Sequence, residues 1–281
     1  MAIQIIDGFQ TILSEQGPLL MIESDRLDEY VRYAKDKSIT RIAMQRNYGY
    51  KLENVGFLEE HNFFTTVTIG EDINNISAVH YVKDIQTLSL SIDKQSVDLT
   101  KFPHLTKCSI NWNNNIVGLD KENEIKLLII WQFKPKSKNF EGLKGCIKIE
   151  SLEITESNIQ SLNGIEKLKQ LNHLETYYVR NLKNLKGLEK LPYLKNLWLN
   201  NCPNLEGYET DLRCLKHLEQ LRLNRCGDLP SLQFIQSLPK LKTISFVGTN
   251  VVDGNMTPTL ELEYAGYDNK RHYSHKMKER K

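Results

Sequence analysis

LKNLWLNNCPNL, residues Leu194–Leu205, and LEQLRLNRCGDL, residues Leu218–Leu229, are one pattern written twice, 24 residues apart. Both read L-x-x-L-x-L-x-x-C-x-x-L. Leu197 and Leu199 stand two apart, as do Leu221 and Leu223, so each pair shares one face of an extended strand while the residues between them face the other way. Cys202 and Cys226 then turn inward, where a thiol is a weak donor to the carbonyls of the turn.

The same template can be laid over most of the chain. Its first position falls at Ile39, Phe64, Ile85, Leu105, Ile125, Ile149, Leu174, Leu194, Leu218 and Leu241, at intervals of 20–25 residues. The fourth and sixth positions stay apolar almost throughout, from Ile42 and Met44 to Ile244 and Phe246. The ninth varies: Asn47, Asp72, Asp93, Asn113, Phe133, Ser157, Leu182, Cys202, Cys226 and Thr249. The return segments share a spacing by threes, Ile165-x-x-Leu168-x-x-Leu171, Leu188-x-x-Leu191 and Ile235-x-x-Leu238, which suits short 3₁₀ turns.

This pattern resembles the leucine-rich repeat in its variant with Cys at the ninth position. The resemblance implies an α/β leucine-rich repeat solenoid, a horseshoe with a concave parallel β-sheet. About ten repeats occupy residues 39–251. Residues 1–38 read as an N-terminal strand-helix cap, with a strand at Leu19–Ile22 and a helix over Asp25–Lys37. Leu27, Tyr30, Val31 and Ala34 fall on one face of that helix, with Ser24 or Asp25 to cap it. Residues 252–281 read as a C-terminal cap and basic tail, with a final strand through Leu260, Leu262 and Tyr264. Covers of this kind shield the ends of a stacked core.

Composition narrows the function. The chain has 281 residues, 40% hydrophobic and 26% charged, with a formal net charge of +2. So small a net charge gives no strong field to attract nucleic acid or a membrane. The N-terminus lacks the basic and apolar runs of a signal peptide, and the apolar stretch Leu127–Trp131 is too short to span a bilayer. The expected setting is the cytoplasm, with the five scattered cysteines as reduced thiols. Phosphate-binding glycine loops, nucleophile elbows and H-E-x-x-H are all missing from the sequence, and the repeats with their caps consume the chain. No enzyme activity and no cofactor are expected. His272 and His275 form a surface pair, and no metal site is assigned.

The variable positions between the leucines carry the functional expectation. Positions three, five, seven and eight face away from the core. They hold Trp112, Trp131 and Trp198, which are all three tryptophans of the protein, together with Glu153, Glu156, Tyr178, Arg180, Asn200, Arg222 and Arg225. Trp, Tyr and Arg dominate the energetic centres of protein interfaces. The same side chains can also stack across neighbouring strands and stabilise the sheet. Thr176, also at such a position, is expected to face outward. The expected function is a non-enzymatic module that holds a protein partner against the concave face. The resemblance extends to irregular cytosolic bacterial repeat proteins, some of them immunity proteins, which would make the partner a toxin whose active site is occluded. Nucleic-acid binding, through aromatics with Arg or through the basic tail, is the further alternative. Glu71, Glu153 and Glu156 on the same face weigh against it.

Overall fold

The computed structural model describes residues 2–91 and 94–277. Asp93, expected at a ninth position, and the end of the basic tail lie outside the described residues. The chain forms two compact units, 1–125 and 126–281.

The first unit opens with a hairpin of β1 (Ile3–Ile6) and β2 (Phe9–Ile12), joined through Asp7 and Gly8, both at positive φ. Asp-Gly is the residue pair such a two-residue turn demands, because its backbone twist matches that of the strands. Next come β3 (Leu19–Met21), antiparallel to β2, and α1 (Leu27–Asp36), preceded by one 3₁₀ turn. Helix α1 buries Tyr30, Val31 and Ala34, as its apolar stripe requires. The ring of Phe9 stacks on Tyr33 at 4.1 Å and meets the edge of Tyr30 at 4.9 Å. The hairpin is thus part of the cap. Ser24 does not cap the helix. Its hydroxyl accepts from Lys51 N–H (3.0 Å) and faces the Gly49 carbonyl (3.3 Å), tying the cap to the first coil.

Parallel coils follow: β4 (Arg41–Met44), β5 (Thr66–Ile69), β6 (Thr87–Leu90), then β7 (Val97–Asp98), β8 (Lys107–Asn111) and β9 (Ile116–Val117). Strands β3, β4, β5, β6 and β8 pair in parallel in that order, and β7 pairs with β9 in a second, two-stranded ladder.

The second unit contains β10 (Leu127–Trp131), β11 (Ser151–Thr155), β12 (His173–Tyr177), β13 (Asn196–Asn200), a short α2 (Tyr208–Leu212), β14 (Gln220–Asn224), β15 (Thr243–Ser245) and β16 (Tyr264–Gly266). All seven strands pair in parallel with their sequence neighbours. The returns are 3₁₀ turns where the threefold spacing predicts them, at Ile165–Lys167, Leu188–Lys190 and Gln233–Ser237. Leu152, Leu197, Leu199, Leu221, Leu223 and Ile244 are all buried to 2% exposure or less.

Two further expectations need correction. The strand that closes the unit is Tyr264–Gly266, aligned with β15, and Leu260 and Leu262 lie before it. The repeat in the middle starts at Leu171, three residues earlier than its leucines suggest, because Leu174 pairs with Leu152 and Leu197 and therefore takes the fourth position. Thr176 then points inward, 1% exposed, and Val179, not Leu182, takes the ninth position.

With that register the turns after β10 to β14 are alike. Position eight, held by Gln132, Glu156, Tyr178, Asn201 and Arg225, has φ between 51° and 57°. Its N–H donates to the position-seven carbonyl of the next coil at 2.8–2.9 Å. Position nine points in: Phe133 and Val179 fill it with apolar side chains, while Ser157, Cys226 and Thr249 meet turn carbonyls there. Ser157 donates to the Phe133 carbonyl, and Cys226 lies 3.5 Å from the Leu199 carbonyl and 3.6 Å from that of Asn224. Thr249 donates to the Leu223 carbonyl and accepts the Cys226 N–H. Cys, Ser and Thr are interchangeable here because each brings one small donor.

Of the five cysteines, Cys108, Cys146, Cys202 and Cys226 are buried and Cys214 is exposed. A thiol-reactive dye on the folded protein should therefore label Cys214 quickly and all five after denaturation, and equal rapid labelling of Cys202 and Cys226 would contradict this packing. Gly227 is held against the previous coil, where an added Cβ would lie 1.9 Å from the Leu205 carbonyl oxygen. Gly227→Ala should cost about 2–4 kcal/mol in denaturant unfolding.

Candidate functional site

The register of the second unit sets which side chains share its open face. Position five, read across β10 to β15, gives Ile129, Glu153, Glu175, Trp198, Arg222 and Ser245. Position seven gives Trp131, Thr155, Tyr177, Asn200 and Asn224. Neighbours in a row are one strand spacing, about 4.8 Å, apart.

Three of these side chains form one stack. The Arg222 guanidinium lies over the Trp198 ring, 4.0 Å from its centroid, and reaches across it to within 4.0 Å of Glu175. Cation–π contact of this kind strengthens as it is desolvated. His173, on the strand before, meets the Trp198 ring edge-on at 4.8 Å, with its Nε2 at 3.5 Å from Glu175. Tyr177 donates its hydroxyl to Glu175 at 2.5 Å. That hydrogen bond, followed by burial, pushes the Tyr177 phenol up to about 12. Glu175 is only 7% exposed. A charge so covered needs such partners, since desolvating a carboxylate alone costs several kcal/mol.

Glu153 differs. It is half-buried beside Glu175, and it makes no hydrogen bond or ion pair with any of the described residues. Burial, and then the charge of Glu175, raise its pKa above the ordinary glutamate value.

A second chain of contacts runs along position seven. Asn224 Oδ1 accepts from Ser245 Oγ (2.9 Å) and Val247 N–H (3.0 Å), which fixes its orientation. Its Nδ2 then donates to Asn200 Oδ1 at 3.3 Å. Asn200 is 7% exposed, and its Nδ2 has no partner among the described residues.

Beyond the strand ends, Glu156 and Tyr178 at position eight line a groove of about 490 Å³ with Lys134, Asn158 and Arg180. Arg180 lies in the turn after β12 and not on the strand face, as the corrected register requires, with its guanidinium 5.9 Å from the Tyr178 ring. Arg225 is exposed at the same level, its stem against Gly248. Trp131 faces outward at 39% exposure, on the face its template position predicts. Trp112 belongs to the first unit, half-buried just after β8.

The open face of the second unit thus brings together Trp131, Glu153, Trp198, Asn200 and Arg222, while Glu156, Tyr178, Arg180 and Arg225 sit at the strand ends. Three members of the cluster, His173, Glu175 and Tyr177, are absent from the sequence-based assignment because of the three-residue slip. The signal was present in the spacing. Starting that repeat at Leu171 turns intervals of 25 and 20 residues into 22 and 23. Among the described residues no group of three His, Cys, Asp or Glu side chains could hold a metal, and no helix is long and apolar enough to cross a membrane.

No family model and no curated protein matches the chain. Solved structures do. The functional domain of InlJ from Listeria monocytogenes, described as including a cysteine ladder, superposes with a TM-score of 0.51 at 15% identity, over 78% of this chain and 52% of that one. An internalin, InlF, from L. monocytogenes str. 4b F2365 superposes with a TM-score of 0.50 at 16% identity, over 90% of this chain and 87% of that one. The chain has the leucine-rich repeat fold. It spans about half the length of the InlJ domain, and at these identities the likeness is one of fold. The leucine-rich repeat assignment accounts for the inward pair, the 3₁₀ returns and the Cys202–Cys226 stack together.

Glu153 offers a direct check of the face's electrostatics. Its pKa is raised on folding, so its penalty is absent below the ordinary value of 4.5 and grows as pH rises through the folded value. Glu153→Gln should raise stability at pH 7 by about 0.2–1 kcal/mol, the size of exposed charge interactions. That gain should vanish in unfolding curves taken below pH 4.5.

Proposed function

We propose that this leucine-rich repeat protein is a non-enzymatic binding module, and that the open face of its second unit holds a protein partner. The observation that carries the reading is the Arg222–Trp198 stack braced on Glu175. Rigid aromatic and guanidinium groups, fixed before binding, lose little conformational freedom when a partner covers them. Position eight supports the same reading. Glu156, Tyr178 and Arg225 occupy a left-handed backbone conformation that Gly or Asn would adopt at less cost, and they present large side chains at the strand ends.

The partner should be sought by affinity capture from native cells. Trp198→Ala with Arg222→Ala should weaken its binding at least about 30-fold, as expected for loss of a hot spot worth about 2 kcal/mol. Unchanged affinity in a folded double variant would overturn the assignment. The resemblance to immunity proteins extends the reading to a toxin. In that case the captured protein loses its activity on stoichiometric addition of the chain, and a partner with unaltered activity removes that extension. We further propose a reducing, cytoplasmic setting, supported by Cys202 and Cys226 standing as thiols in adjacent coils.

A further inference from the structure

The charges on the open face do not balance around Glu153. Arg222 is spent on Trp198 and Glu175, and His173 turns to the same carboxylate. Glu153 sits one strand away from Glu175, half-buried and with no cation among the described residues. Two adjacent carboxylates repel each other, and a partly desolvated one gains most from a charge-assisted hydrogen bond.

The surroundings of Glu153 suit a long basic side chain. Ile129 flanks it on β10, and Trp131 stands diagonally beyond, 39% exposed. An arginine or lysine stem can lie along such an apolar and aromatic wall with its head group at the carboxylates. Asn200 supplies an independent sign of a missing ligand. Its Oδ1 is committed to Asn224 on β14, and its Nδ2, on the other arm of the amide, has no acceptor among the described residues although Asn200 is 93% buried. A buried amide donor left unmade costs about 1–3 kcal/mol, so it marks a place where an acceptor belongs.

Resting on the binding function proposed above, we infer that the partner is a protein segment that inserts an arginine or lysine between Glu153 and Trp131, with a main-chain carbonyl of the same segment accepting from Asn200 as its buried amide turns outward. Nucleic acid meets the opposite condition, because its phosphates would face the Glu153–Glu175 pair.

The test uses a displayed random-peptide library, panned on the folded full chain at low salt. Enriched peptides should share an Arg or Lys, and replacing it by norleucine should abolish binding. Glu153→Gln should weaken the best peptide at least about tenfold, as loss of a charged hydrogen bond does. Glu206→Gln, on an exposed turn off this face, makes the same change in net charge and should leave affinity unaltered. Because Glu153→Gln removes a repulsion, that variant should fold, and its melting curve checks it. Peptides that lack a basic residue, or that bind the Glu153→Gln variant as well as the parent, would overturn the inference. If such peptides still fail to bind the Trp198→Ala, Arg222→Ala variant, the binding face itself stands. If no enriched peptide is sensitive to that double substitution, both proposals fall.

Discussion

Each coil of this chain buries its two inward strand residues only because the next coil covers them. A strand of four or five residues cannot form a core by itself, and the parallel ladder is what brings Leu152, Leu174, Leu197, Leu221 and Ile244 into one line. That requirement fixes the register of every strand, since a slip of one residue would exchange the buried and exposed faces. The turn is bound by the same condition. After β10 to β14 the left-handed residue at position eight extends the ladder by one hydrogen bond, and where position nine is Ser157 or Cys226 its side chain meets the carbonyls beneath it.

The freedom of the remaining positions follows from this constraint. Positions three, five and seven contribute little to the core, so their chemistry can serve another purpose. In the second unit they assemble an aromatic–cation–carboxylate cluster whose parts come from adjacent coils far apart in sequence. Trp198, Arg222 and Glu175 are held by the ladder and not by a specific loop. The asparagine chain from Val247 through Asn224 to Asn200 shows how far such alignment reaches, because it orients an amide two strands away.

Most of the fold was legible in the sequence because the twin stretches Leu194–Leu205 and Leu218–Leu229 carry a complete template. What escaped did so for local physical reasons. Thr176 replaces the expected leucine and is tolerated inside because its hydroxyl meets the Cys202 thiol at 3.6 Å. That polar residue moved the apparent start of one repeat and hid Glu175, the carboxylate on which the cluster is braced. The β1–β2 hairpin was announced by Asp7-Gly8 but lies outside the repeat, so no template pointed to it. Among the site residues, outward direction at Trp131, Trp198 and Arg222 was readable from spacing alone. The burial of Asn200 and the displacement of Arg180 into a turn depend on neighbours that only the register identifies.

The most direct test of a protein-binding open face is hydroxyl-radical footprinting of the chain with and without the partner it captures from cells. Tryptophan and tyrosine report strongly, and they are distributed over both sides of the second unit. The partner should suppress oxidation of Trp131, Tyr177 and Trp198 while Tyr193, 55% exposed before β13, stays as reactive as before. Protection of Tyr193 with Trp131 and Trp198 unchanged would contradict it.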